Sequence, residues 1–212
     1  MIPIIFLLFV CRNVLSDVAV KEGNAYVDNL LQSAVKNQEL ETLQLPDHDI
    51  FFFRKLLAAD VTTEILLREG QILGVSNISR NVDVQIAEEE NSTLIISNIN
   101  LNNIEVRYQV NFTFFNIKQK PINITSFMDN KKVILKLRIN KKTRELSVDN
   151  LLVSKLTGFR VNFKESGNVF RWVANAMKSR AVNVLKNDIT SLVQRKLREV
   201  FEKEAERKHD IF

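Results

Sequence analysis

The chain has 212 residues, of which 45% are hydrophobic, with 30 basic and 25 acidic side chains. Its one cysteine, Cys11, lies in the first apolar run, so the remainder of the chain can form neither a disulfide nor a zinc–thiolate site. A chain of this length can bury enough apolar surface to fold without disulfides.

The first feature in chain order is the apolar run Ile2–Cys11, which has the length of a signal-peptide core and is too short to span a bilayer. We expect a signal peptide over residues 1–16 and a single domain over 17–212. No Lys or Arg precedes the run, and a buried strand or a membrane anchor is the alternative. No later segment has the ~20 unbroken apolar residues of a transmembrane helix. The protein is therefore predicted to be secreted and extracellular.

Apolar residues at helical spacing predict an amphipathic helix over residues 24–37. A turn segment, Pro46–Asp49, comes next and is followed by Phe51, Phe52 and Phe53. Successive side chains of a strand alternate between its faces, so the three aromatic rings cannot all face one side. The triplet is either a tip that touches membranes or a plug beneath a loop.

Alternating apolar and polar residues predict strands between residues 60 and 163, and the clearest is Ile104–Phe114. Further alternation covers 82–86, 133–139, 146–148 and 159–163. Short polar turns separate these segments, which is typical of an antiparallel meander with no crossover helices.

From Ser166 the apolar period changes to that of a helix that extends to about Arg207. Such a helix is long for a small domain, and Arg180, Asn183 and Asn187 interrupt its apolar surface where a break would fall. The expected fold is α+β: a strongly curved antiparallel β-sheet wrapped around a long C-terminal helix, with a shorter N-terminal helix.

Charge is distributed unevenly along the chain. Residues 17–106 hold 6 basic and 15 acidic side chains, whereas residues 107–212 hold 23 basic and 10 acidic ones. The asymmetry indicates either two halves that attract each other or a basic face, for which Lys131, Lys132 and Lys141–Arg144 are candidates. No nucleic-acid motif accompanies these residues, so we expect no nucleic-acid partner. An anionic lipid surface is the second use of such a face.

The sequence contains no recognisable catalytic apparatus. The two histidines, His48 and His209, accompany no nucleophile motif, and the five glycines form no phosphate-binding loop. No metal-ligand spacing is present. We therefore predict a protein that is not an enzyme and has no catalytic residues, cofactor or metal.

Four glycosylation sequons are present, beginning at Asn77, Asn91, Asn111 and Asn123. Asn91 lies in a predicted turn, and Asn111 lies on the polar face of its predicted strand. These two are the predicted glycosylation sites.

The order of elements, together with the segments Leu45–Asp49 and Gln71–Ile78, resembles the group 7 dust-mite allergens. That family belongs to a wider group of tubular lipid-binding proteins, which includes the bactericidal/permeability-increasing proteins and the insect takeout and juvenile-hormone carriers. The carriers usually have an N-terminal disulfide, and its absence here favours the mite-allergen branch. The resemblance implies a curved sheet around a long helix, with an apolar groove between them.

The resulting hypothesis is a secreted protein that binds a lipid or another small hydrophobic ligand in such a groove. The alternative is a surface-interaction protein with a closed core that binds bacterial lipid, membrane or a protein partner. No oligomeric state is predicted. The candidate groove residues, each of which could instead be ordinary core, are Tyr108, Val110, Phe112, Leu135, Leu137, Trp172, Val173 and Met177.

Overall fold

The computed structural model describes residues 3–56, 59–114, 117–128, 131–154, 160–163 and 181–207. Helix α1 (Pro3–Val35) is followed by a 3-10 turn at Gln38–Leu40, and helix α2 (Ala181–Arg207) ends the described chain. Between them the strands are β1 (Thr42–Gln44), β2 (His48–Leu56), β3 (Ala59–Leu73), β4 (Ile78–Arg80), β5 (Gln85–Glu88), β6 (Ser92–Leu101), β7 (Ile104–Phe114), β8 (Ile117–Lys118), β9 (Ile122–Met128), β10 (Lys131–Asn140), β11 (Leu146–Val153) and β12 (Arg160–Phe163).

All strand pairings among the described residues are antiparallel, and hydrogen bonding divides the strands into two sheets. The seven-stranded sheet has the order β1-β3-β7-β9-β12, with β2 also on β3 and β8 on β7. The five-stranded sheet has the order β11-β10-β6-β4, with β5 also on β6. The predicted α+β class, with a large antiparallel sheet region between an N-terminal and a C-terminal helix, is confirmed.

The connections between strands differ from the expected meander. Hairpins join β2 to β3 and β10 to β11, but β6 pairs with β10 rather than with its neighbour in the chain, β7. Between β6 and β7 the chain passes from the five-stranded to the seven-stranded sheet at Asn103, whose φ is +55°. Asparagine tolerates this left-handed conformation better than most residues, so the chain can change direction sharply there with little backbone strain.

The strand expected at 82–86 is wrong in its first half, since β5 begins only at Gln85. Asn24 of α1 explains the difference. Its side-chain oxygen accepts a hydrogen bond from the Val84 backbone N–H at 2.9 Å, and its amide donates to Asp83 at 2.8 Å. The helix therefore satisfies the backbone that a neighbouring strand would otherwise satisfy.

Both helices bury one stripe of apolar side chains. Helix α1 begins earlier than the predicted residue 24 and ends at Val35, close to the predicted end. Asn183 and Asn187 lie inside α2 and do not break it, and Arg180 is outside the described residues. The buried residues of the two stripes are Val27, Leu30, Leu31 and Ala34 in α1, and Leu185, Ile189, Val193, Leu197, Val200 and Phe201 in α2.

Apolar side chains from both sheets and both helices form one continuous cluster, which is the core of the protein. Helix α2 packs mainly on β11, and α1 contacts both α2 and β4. Within the described part of the chain, neither helix combines the length and the apolar character that a membrane span requires.

Candidate ligand-binding interior

Two strands bring the described candidate groove residues to the inside of the protein. Tyr108, Val110 and Phe112 alternate along β7, and Leu135 and Leu137 alternate along β10. All five are at most 3% exposed and belong to the same apolar cluster, although they lie in different sheets. That they line a ligand groove stays a prediction. Trp172, Val173 and Met177 lie outside the described residues.

The strand register shows what flanks these residues. Val110 of β7 lies between Leu67 of β3 and Ile122 of β9, and all three are buried. This row is apolar across three strands because each strand places its alternate residues on the inner face. The inner face of the seven-stranded sheet is thus a continuous apolar wall at this level.

Tyr108 is a fixed part of that wall. Its hydroxyl donates a hydrogen bond to the Pro46 carbonyl at 3.1 Å. Its ring lies against the backbone of Gly70, where an added Cβ would be 2.3 Å from Tyr108 Cε1. Burial, followed by the negative charges of Asp188 and Asp47, raises the pKa of Tyr108 well above its usual range. The hydroxyl therefore stays neutral and keeps its hydrogen-bond donor near pH 7.

The segment Asp47–Asp49, which carries part of the family resemblance, joins the sheet to α2. Arg68 of β3 holds it, with Nη2 2.6 Å from Asp49 Oδ1 and Nη1 donating to the His48 carbonyl at 3.2 Å. On the other side, His48 Nε2 lies 3.1 Å from Asp188 Oδ2 of α2. The start of β2 therefore contacts both the seven-stranded sheet and α2.

Two buried serines were missed at the sequence level. Ser97 of β6 and Ser126 of β9 are 0% and 1% exposed, and neither hydroxyl has a hydrogen-bond partner among the described residues. Ser97 lies beside Leu135, and Ser126 lies between two valines of the neighbouring strands. The signal was present in the sequence as a serine at an inward position of an otherwise apolar alternation, as in Ile95–Ile99.

An unpaired buried hydroxyl costs ~1–3 kcal/mol relative to one that is hydrogen-bonded. Alanine at the same position would avoid that cost at nearly the same volume. The two serines are therefore positions at which the interior can donate a hydrogen bond to, or accept one from, a polar atom within an apolar ligand.

The Phe triplet is resolved in part. Phe51 and Phe53 point outward and are 47% and 79% exposed, while the side chain of Phe52 lies outside the described residues. Asn91 is exposed in the turn between β5 and β6, and Asn111 is half-buried on the outer face of β7. Glycosylation of Asn91 and Asn111 stays a prediction.

In the acidic turn Glu88–Glu90, the carboxylates of Glu88 and Glu89 are paired with neighbouring hydroxyl and basic side chains. Hydrogen bonds from Ser92 and Arg138 hold the pKa of Glu89 below its usual range, and Lys141 has the same effect on the pKa of Glu88. Among the residues that the structure describes, no three His, Cys, Asp or Glu side chains gather into a group that could hold a metal ion.

Residues 22–204 match the family model described as Group 7 allergen. In a comparison with solved structures, the chain is similar to "Crystal structure of lipopolysaccharide binding protein", with a TM-score of 0.55 and 14% identity over 88% of this chain. The chain spans only 39% of that protein. It is also similar to Takeout 1 of Epiphyas postvittana, with a TM-score of 0.38 and 12% identity over 88% of this chain and 90% of that one. A search of the curated proteins finds no match. At these identities, the similarity to the lipopolysaccharide-binding protein shows a shared fold.

Proposed function

Since this chain belongs to the group 7 allergen family, we propose that it is a secreted, non-enzymatic protein that carries a lipid or another small hydrophobic molecule between its sheets and helices. The fold supports the proposal, because the protein that shares it binds lipopolysaccharide, as its name states. The apolar lining supports it too, since burying an acyl or terpenoid body yields ~25 cal/mol per Å² of apolar area.

The observation that carries the proposal is the pair of buried, unpartnered hydroxyls of Ser97 and Ser126 in an otherwise apolar interior. A closed core, as in the alternative of a pure surface-interaction protein, would gain from alanine or valine at both positions. A carrier gains from serine, because the hydroxyl can bond to the polar atom of a ligand. The ligand class that fits is an apolar body with at least one hydroxyl or carbonyl oxygen.

Secretion is proposed on the apolar run at residues 2–11, with removal of residues 1–16. Expression of the whole chain in a eukaryotic secretory host tests this step and the ligand together. Mass spectrometry of the medium should find a product that begins near Asp17. Recovery of the intact chain in the membrane fraction would contradict it.

The ligand itself is tested by native mass spectrometry of the secreted protein, followed by solvent extraction. We expect a stoichiometric apolar adduct that organic solvent releases. The released compound should displace a fluorescent fatty-acid probe from the protein. An empty protein that also leaves the probe unbound would establish the closed core and overturn the carrier.

The proposed hydrogen bond between the Ser97 hydroxyl and a ligand can be tested by substitution. In the ligand-free protein, Ser97→Ala should raise the free energy of unfolding by about 1 kcal/mol, because an unpaired buried donor is removed. The same change should weaken binding of a long-chain alcohol by roughly threefold to tenfold and leave binding of the matching alkane unaltered. Ser147→Ala, at an exposed position of β11, is the control. A loss of stability in Ser97→Ala would show that the hydroxyl has a structural partner instead.

A further inference from the structure

Among the described strands, the hairpin of β2 and β3 projects beyond the sheet to which it belongs. The two strands pair from His48–Leu67 to Leu56–Ala59, whereas β7 joins β3 only from Glu64 onward. Among the described residues, 59–63 of β3 therefore have a partner on one side only. At ~3.3 Å per residue, this two-stranded ribbon extends about 16 Å past the end of the β3–β7 pairing.

The ribbon carries apolar side chains that no described element covers. Phe51 and Phe53 are 47% and 79% exposed on its outer face, and Phe53 pairs with Thr62 within the projecting part. Ile117 of β8 is 63% exposed. It lies at the same end of the sheet, as the pairing of Thr113 of β7 with both β3 and β8 shows. A soluble protein rarely gathers exposed residues of this size at one end unless they meet a partner.

Basic side chains accompany the exposed rings. Residues 50–64 and 117–120 together contain four basic and two acidic residues, although the N-terminal half of the chain is acidic. Lys118 is exposed on the strand row that contains Phe51, and Lys120 is exposed two residues further on. Neither lysine has an ion-pair partner within the described chain. Glu64 lies on the same row, between Phe51 and Lys118, so this end of the sheet combines protruding apolar groups with a net positive charge and not with an unbroken basic surface.

We propose that this ribbon docks the protein on a bilayer that contains anionic phospholipid, with Phe51 and Phe53 in the interfacial region and Lys118 and Lys120 at the headgroups. The shape favours a bilayer over a protein partner. A stable protein interface needs ~800 Å² on each side, which is more than a two-stranded ribbon offers. Membrane binding needs only a few buried apolar side chains with adjacent positive charge.

Cosedimentation of the secreted protein with vesicles tests the proposal. The vesicles are made of phosphatidylcholine alone or of phosphatidylcholine with phosphatidylserine. We expect binding to the mixed vesicles that weakens as salt is added. The double variant Phe51→Thr/Phe53→Thr keeps strand-forming residues and should bind at least about tenfold more weakly, because both insertion groups are gone.

Two controls make the result specific. Phe127→Thr removes an outward ring of similar exposure on β9, on the order of 30 Å from Phe53 along β3, and should bind like the unaltered protein. Lys118→Gln/Lys120→Gln should reduce binding to the mixed vesicles and leave binding to phosphatidylcholine unchanged. Absence of binding by the unaltered protein, or full binding by the double Phe variant, would overturn the proposal.

Membrane docking through the ribbon does not require a bound ligand, so docking and ligand carriage can be tested separately. The double Phe variant should retain the melting temperature and the fatty-acid probe uptake of the unaltered protein. If it loses probe uptake together with vesicle binding while still folded, the ribbon belongs to the ligand site and the docking proposal is wrong. If vesicle binding is retained by a protein that takes up no ligand, the carrier proposal alone is wrong.

Discussion

An added Cβ at Gly70 would lie 2.3 Å from Tyr108 Cε1 and 2.8 Å from Leu45 Cβ. Tyr108 cannot move aside easily, since its ring is buried and its hydroxyl is bonded to Pro46. We therefore expect Gly70→Ala to lower the free energy of unfolding by about 1–3 kcal/mol, as overpacking of a tight core does. Urea denaturation followed by circular dichroism measures the change.

Gly23→Ala is the matched control for that substitution. Its added Cβ would lie 2.8 Å from Val84 Cγ2, which is the end of a side chain and not a ring held on two sides. Gly23 lies inside α1, where alanine is favoured over glycine by ~1 kcal/mol, so the two effects oppose each other. If Gly23→Ala lowered the free energy of unfolding as much as Gly70→Ala, the contact of Gly70 with Tyr108 would be no more rigid than that of Gly23 with Val84.

At the scale of elements, one ion pair fastens α1 to the five-stranded sheet. Arg80 of β4 donates from Nε and Nη2 to the two carboxylate oxygens of Asp28, each at 2.9 Å. This hydrogen bonding is the main reason that the pKa of Arg80 is raised above its usual range. The pair is bidentate and partly buried, which is the geometry in which such a contact stabilises a protein measurably.

Asp28→Asn keeps the size of the side chain and removes its charge. We expect a loss of about 1 kcal/mol in the free energy of unfolding, and faster amide hydrogen exchange in the last turns of α1. Exchange in α2 should be unchanged. Glu22→Gln, at an exposed position earlier in α1, is the control. Equal acceleration in both helices would mean that α1 does not open separately.

Elements whose structure is determined by their local sequence pattern were predictable from the sequence. The alternation at Ile104–Phe114 gave β7 with the same bounds, because one face of that strand meets the core and the other meets water. Residues 82–84 alternate in the same way and yet form no strand, since Asn24 of a distant helix takes their hydrogen bond. The pairing of β6 with β10 was not predictable either, because alternation identifies the buried face of a strand and not its neighbour.

In the candidate site, too, features set by local sequence were predictable and contacts with distant residues were not. Burial of Tyr108 and Leu135 could be read from their inward positions, whereas the contacts of Tyr108 with Pro46 and Gly70 depend on residues far away in the chain. The hydroxyl of Ser97 could have been noticed as an exception to an apolar pattern. Its lack of a partner among the described residues is a property of the folded interior.

At the scale of the whole molecule, two buried phenols link stability to alkaline pH. Burial raises the pKa of Tyr26 to about 12, and it also raises the pKa of Tyr108. An unfolded tyrosine ionises near ~10. Folding therefore favours the neutral phenol, and the associated stability is fully present below pH ~10 and is lost as pH rises through the folded pKa.

The protein should accordingly lose stability steeply between pH ~10 and ~12, with urea midpoints that decrease over that range. Tyr108→Phe should lower the midpoint near pH 7, because the hydrogen bond to Pro46 is lost, and should make the alkaline decrease shallower, because one ionising group is gone. Circular dichroism at a series of pH values separates the two effects. An alkaline slope that is identical in both proteins would mean that Tyr108 does not resist ionisation in the folded state, and that the wall it forms is open to water.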